Sequence, residues 1–399
     1  MAVARPQLAW LHRWVALLAG LLLAVLGLSG SLLVWQAELD AALNPDWFRV
    51  LPACVAPTRE DAEQAPVARV LDVLRQNAPG RQAAIVVAPH QPGAAYQVWE
   101  RRDADGLRRE HFIDAACGRY LGMRERGRVA WDARHLVPTV YELHRYLWQG
   151  ETGALVVGTG GLVLLGLGLS GVVLAWPRQA RRLASWRRVL GIQWQAAPAR
   201  RWYDVHRAAG LWLAPLLMLM TVTGAAMVFS DSARSAVAAV LPMERLAKLP
   251  RDTAAAPPAW PSGPPLGPDE WVALAQRQFP QARWSRLTLP RGNGVVEVRL
   301  LQPGEPRADT GNTRVRVTPA GAVVQRYDPL QAPAGNVLLN WLFPLHSAEA
   351  FGLAARLLWS AFGLVPALLL ATGLWLWLRR SRAANPARRG ASAKRPSPG

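Results

Sequence analysis

Four histidines, His12, His144, His206 and His346, stand in register with four hydroxyl–glycine dipeptides. His12 precedes Ser29-Gly30 by 17 residues, and His206 precedes Thr223-Gly224 by the same 17. His144 precedes Ser170-Gly171 by 26, and His346 precedes Thr372-Gly373 by 26. The chain is thus written twice, with an offset of 194 for the first histidine of each half and 202 for the second. Neutral imidazole is a metal ligand that brings no charge into an apolar setting. A lone histidine at a helix end is ordinarily a cap or an interfacial polar group. Four that keep one register while their neighbours diverge point to a shared ligand role.

Each histidine precedes a long apolar stretch: Trp14–Trp35, Thr152–Trp176, Leu211–Phe229 and Leu353–Leu378. Each holds about the 20 residues that a helix needs to cross a hydrocarbon core of about 30 Å. Trp35, Trp176, Trp212, Trp375 and Trp377 lie near their ends, as aromatic belts do. The expected class is a membrane α-helical protein. The first stretch is read as a retained helix, not a cleaved leader: its apolar run is long, and no small-x-small cleavage site precedes Trp35.

The formal charge is +19, and residues 1–13, 177–207 and 379–399 carry +16 of it. Basic charge on short flanks of membrane helices is the positive-inside pattern and not a nucleic-acid footprint. Both termini and the 177–207 loop are therefore expected in the cytoplasm. The resulting map is an N-terminus and first helix (1–35), an outer domain (36–143), a second helix (144–176) and a basic loop (177–207). A third helix (208–229), a second outer domain (230–345), a fourth helix (346–378) and a basic tail (379–399) follow. The halves are parallel repeats related by an axis along the membrane normal.

Both outer segments read as a helix followed by an antiparallel meander. The helices are Glu60–Gln76 and Pro268–Phe279; the strands are Ala83–Ala88, Tyr96–Arg101 and His111–Ile113, then Ser285–Leu289, Val295–Leu300 and Thr313–Val317. Each is long enough for a small α+β domain. Both cysteines, Cys54 and Cys117, lie in the first of them and can form a disulfide in an oxidising compartment. His90, His111 and His135 have no counterpart in the second half and are read as surface residues.

The orientation places His12 and His206 at the cytoplasmic boundary and His144 and His346 at the external one. A pseudo-two-fold axis brings equivalent positions together, so the expected pairs are His12 with His206 and His144 with His346. Two imidazoles facing each other are the axial pair of a b-type haem. Gly20, Gly27 and Gly30 on the first helix, and Gly158, Gly160, Gly161, Gly166, Gly168 and Gly171 on the second, allow close approach or room for a planar ligand. Arg13, Arg145 and Arg207 follow three of the histidines and suit haem propionates or, equally, lipid phosphate; Ser347 breaks the pattern. Zinc fits less well, because each boundary offers two matched histidines and no cysteine or carboxylate pair to complete a tetrahedron.

Four segments carry a resemblance: "LHRWVALLAGLLLAVLGLSG", "ELHRYLWQGETGALVVGTGGLVLLGLGLSGVVLAWPR", "DVHRAAGLWLAPLLMLMTVTG" and "PLHSAEAFGLAARLLWSAFGLVPALLLATGLWLWLRR". With them the chain resembles the PepSY-associated transmembrane proteins of bacterial inner membranes, and its outer segments look like PepSY domains. Members are often iron-regulated, and some are haem-containing ferric-siderophore reductases. The resemblance implies a multi-pass inner-membrane protein whose His12, His144, His206 and His346 are the candidate ligands of haem iron, with two b haems. The favoured reading is an electron-transfer protein with a periplasmic acceptor, a ferric siderophore first among the candidates, although the resemblance itself does not name the substrate. With no nucleotide or flavin signature, the donor is a separate molecule or a quinol. The alternatives are a non-enzymatic scaffold whose PepSY-like domains bind peptides or a periplasmic partner, and a transporter, disfavoured because the spans lack acidic residues.

Overall fold

A computed structural model describes residues 5–48, 66–89, 94–104, 106–244, 252–253, 263–292 and 294–383. Among the described residues, four helical stretches are long and apolar enough to cross a membrane: Arg5–Leu33, Gly150–Ala175, Pro198–Val228 and Glu349–Ser381. The fourth is not continuous. It runs as Gly352–Phe362 and Val365–Ala383, broken at Gly363 and Leu364. Pro366 explains the break, since it has no N–H to bond the carbonyl of Phe362 and fits only the first turn of a new helix.

The chain divides into two compact units. The first comprises Met1–Ser31, Leu155–Val228 and Leu358–Gly399 and contains most of the membrane helices. Small residues set its contacts. Gly160 lies against Leu22 of the first helix, Gly161 against Thr221 and Ala225 of the third, and Gly210 of the third against Leu369 of the fourth. The first helix closely approaches the break in the fourth, where a methyl group on Gly27 or Gly363 would collide with the other glycine's backbone oxygen. There Ser31 Oγ donates to Ser360 O at 2.8 Å. Leucines such as Leu18 and Leu21 point outward, 82% and 70% exposed, as lipid-facing side chains must. Trp14 meets Trp377, and Trp202 meets Trp375, with ring centroids 6.4 and 6.2 Å apart, so aromatic residues cluster at one end of the helices.

The second unit comprises Leu32–Ala154 and Phe229–Leu357. Apart from a two-residue pair, Asp252–Thr253 with Arg291–Gly292, its strands among the described residues are β1 (Ala83–Val87), β2 (Tyr96–Glu100), β3 (Arg108–Asp114), β4 (Arg119–Arg126), β5 (Arg283–Thr288), β6 (Val296–Leu301), β7 (Thr313–Val317) and β8 (Val323–Tyr327). All eight join one antiparallel sheet in the order β8-β7-β6-β5-β1-β2-β3-β4. The two sequence repeats are thus its two halves. They are stitched where β1 meets β5, Val86 opposite Leu287. The helices Val67–Asn77 and Pro268–Gln278 cover one face. Their Val70, Leu74, Val272 and Ala275 pack with Val86, Val98, Leu287, Val298 and Val315 in a single core. Asp269 of the second helix accepts from the Val67 and Ala68 N–H groups at 2.5 and 3.2 Å, capping its counterpart across the repeat boundary.

Cys117 is disulfide-bonded; Cys54, the other member of the expected bridge, lies outside the described residues, as does His90. His111 corrects the surface reading. It is 1% exposed on the helix-covered side of the sheet, with Nε2 2.8 Å from Glu100 and Nδ1 2.9 Å from the Tyr120 hydroxyl. Burial holds its pKa below the usual imidazole value, and Glu100 opposes that shift. His135 is half-buried and contacts Asp132 at 2.9 Å.

Candidate histidine pairs

His144 and His346 are not on the membrane helices themselves. They sit near the C-terminal ends of two short amphipathic helices, Leu136–Tyr146 and Ala334–Ser347. Each short helix stops at a left-handed residue, Leu147 (φ 48°) and Ala348 (φ 60°). Six residues beyond each histidine comes a glycine with positive φ, Gly150 (54°) and Gly352 (73°), and the following helix begins there. A Cβ at either glycine would meet nothing within 4 Å, so backbone conformation and not packing requires glycine. These matched breaks turn the short helices so that His144 and His346 face one another. Their ring centroids are 6.3 Å apart and the planes are inclined at 52°.

His12 and His206 lie within the first and third membrane helices. His12 Nδ1 is 2.8 Å from Ser170 Oγ, and His206 Nδ1 is 2.9 Å from Thr372 Oγ1. The adjoining glycines lie against the same rings: a Cβ on Gly171 would be 3.5 Å from His12 Cε1, and one on Gly373 would be 3.4 Å from His206 Cε1. The hydroxyl hydrogens have other partners. Ser170 donates to Leu167 O at 3.0 Å, and Thr372 donates to Leu368 O at 2.9 Å. With each hydroxyl hydrogen directed to its helix carbonyl, the hydroxyl accepts from Nδ1 of the histidine, and that arrangement leaves the lone pair on Nε2. His12 and His206 are also within electrostatic reach of one another.

Comparison with known proteins adds a family. The chain matches the PepSY-associated TM region over residues 9–380. It belongs to that family. It is also 30% identical, over 262 residues, to an uncharacterized protein of Pseudomonas aeruginosa; the match covers 62% of this chain and 64% of that protein, under two thirds of its length.

In this PepSY-associated membrane protein the three candidate arginines differ in what they touch. Arg207 is engaged within the protein: it donates to Val189 O at 2.9 Å and Arg188 O at 2.8 Å and pairs with Asp204 at 2.9 Å. It therefore clamps the end of the loop helix Leu183–Leu190. Arg145 donates to the Tyr141 hydroxyl at 2.7 Å. Arg13 lies 6.0 Å from the Trp14 ring centroid and keeps a buried Nε without a partner. Asp204 is the one acidic residue of the basic 177–207 segment, and no role for it is legible in the sequence. It is fully buried and also holds Arg200 at 3.1 Å. The roles of Ser170 and Thr372 went unassigned too, although their place in the histidine register was the signal for them.

Proposed function

We propose that the protein is a membrane electron-transfer protein carrying two b-type haems, one between His12 and His206 and one between His144 and His346. It would pass electrons from a cytoplasmic donor or quinol to an external ferric siderophore. The observation that carries this reading is the spacing of His144 and His346. Metal–imidazole bonds of about 2.0–2.1 Å, with each ring centre about 1 Å further back, put two trans imidazoles roughly 6 Å apart. The observed 6.3 Å fits that arrangement.

A bound haem would supply one-electron chemistry between ferric and ferrous iron, with His12, His206, His144 and His346 as the residues that would hold it. The chain's part is positioning. Ser170 and Thr372 hold His12 and His206 in the tautomer that presents Nε2. Arg13, with its unpartnered buried Nε, is the residue at that end best disposed toward a propionate. Charge distribution supports an inner-membrane location with both termini in the cytoplasm.

The test is a reduced-minus-oxidised absorption spectrum of the purified full-length protein expressed with sufficient haem. The expected result is a b-type band equivalent to two haems, of which His144→Ala and His206→Ala each remove about one. No band in the wild type sinks the reading and leaves the scaffold. Loss of both haems from either single change refutes this pairing.

A further inference from the structure

The sheet face opposite its two covering helices carries a run of like charge. Arg286 of β5 lies directly across from Arg299 of β6, and Arg299 directly across from Arg314 of β7. Neighbouring strands are about 4.8 Å apart, so three guanidinium groups stand in a short row. Arg286 also lies 4.9 Å from the centroid of Trp99, and Arg108 lies 5.4 Å from the same ring. All four arginines are half-buried, and each keeps a buried Nε without a hydrogen-bond partner. Other arginines on this face are neutralised: Arg316 by Glu297 at 2.7 Å, Arg124 and Arg126 by Glu110 at 2.9 and 2.8 Å, and Arg307 by Asp309 at 2.9 Å. No carboxylate among the described residues lies within 4.0 Å of Arg108, Arg286, Arg299 or Arg314. Burial, followed by repulsion from Arg314, Arg286 and Arg307, pulls Arg299 below the usual guanidinium value, against the attraction of Glu297.

Like charges directly opposite one another in a sheet are destabilising, and buried donors without acceptors are costly. Planar guanidinium forks arranged in this way match carboxylate or phenolate oxygens. We propose that Arg286, Arg299 and Arg314, with Arg108 across Trp99, bind the anionic oxygens of a small ferric chelate. The identity of the chelated metal rests on the electron-transfer reading above; the anion site does not. Its position suits that reading, because the same face leans on the two short helices bearing His144 and His346. Arg126 lies 4.8 Å from the Tyr141 ring centroid, Arg307 lies 4.5 Å from that of Phe343, and Asn312 donates to Asn340 at 2.6 Å.

The test titrates the full-length detergent-solubilised protein with redox-inert gallium(III) citrate, followed by tryptophan fluorescence and calorimetry. Saturable binding that weakens with salt is expected. It should be at least tenfold weaker for a Arg286→Gln/Arg299→Gln double variant and for Arg314→Gln, and unchanged for Arg326→Gln, an exposed arginine bonded to Gln278. Removing one of several mutually repelling charges favours folding, and circular dichroism of each variant checks that. A gallium complex of an uncharged trihydroxamate should bind wild type at least tenfold more weakly than the citrate complex. No saturable binding, equal affinity in the variants, or equal affinity for the uncharged complex overturns the proposal. Loss of haem absorbance in the arginine variants with citrate binding unchanged also overturns it, by assigning the row to propionates. If no preparation contains haem yet arginine-dependent citrate binding persists, the electron-transfer reading fails and the anion site stands.

Discussion

The hydroxyl beside His12 and the one beside His206 bear on which ring nitrogen is available. When Ser170 and Thr372 donate to their own helix carbonyls, they accept from the Nδ1–H of His12 and His206. Removing such an outer-shell partner typically costs about 10–100-fold in metal affinity. On the proposed two-haem reading, Ser170→Ala should therefore weaken haem retention by the His12/His206 pair within that range and shift its midpoint potential, leaving the band of the other pair in place. Ser170→Thr should restore wild-type behaviour, because threonine already fills the equivalent position 372. Haem dissociation rates and redox titration of the two bands measure this. Equal haem loss in the alanine and threonine variants would show that the hydroxyl has no positioning role.

At the scale of elements, the spans and most of the strands were legible because their patterns are local: apolar runs for the helices, alternation for the sheet. The union of the two meanders was not legible. β1 and β5 are separated by about 200 residues, and nothing in Ala83–Val87 marks its free edge as complementary to Arg283–Thr288. His111 was misread for a related reason: its partners, Glu100 and Tyr120, come from adjacent strands. The glycines divide in the same way. Sequence shows that they are small but not which ones a neighbour presses upon. Gly363 meets Gly27 and Ser31, whereas Gly166 has open space where a methyl would go. Overpacking a tight site costs about 1–3 kcal/mol. Gly363→Ala should lower the thermal midpoint of the detergent-solubilised protein, while Gly166→Ala leaves it within error. Equal midpoints would mean that the contact between the first and fourth helices contributes little.

Across the whole molecule, the duplication is close in geometry and unequal in chemistry. Both halves supply a short helix ending in histidine, a left-handed stop and a positive-φ glycine. The arginine row, which has no carboxylate within 4.0 Å among the described residues, comes by contrast wholly from strands of the second half, and the first half contributes only Arg108 and Trp99. The electron path read from this duplication also needs the membrane orientation that the charges predict. The basic loop between the halves is pinned: Arg207 reaches the end of the loop helix and Asp204 holds Arg200 and Arg207, so those charges are fixed close to the start of the third span. Positive charge near helix ends stays on the cytoplasmic side during insertion. Green fluorescent protein fused after residue 383 should therefore fluoresce, and alkaline phosphatase fused after Ala239 should be active. The reverse pattern would place His12 and His206 on the outer side and exchange the donor and acceptor ends of the proposed path.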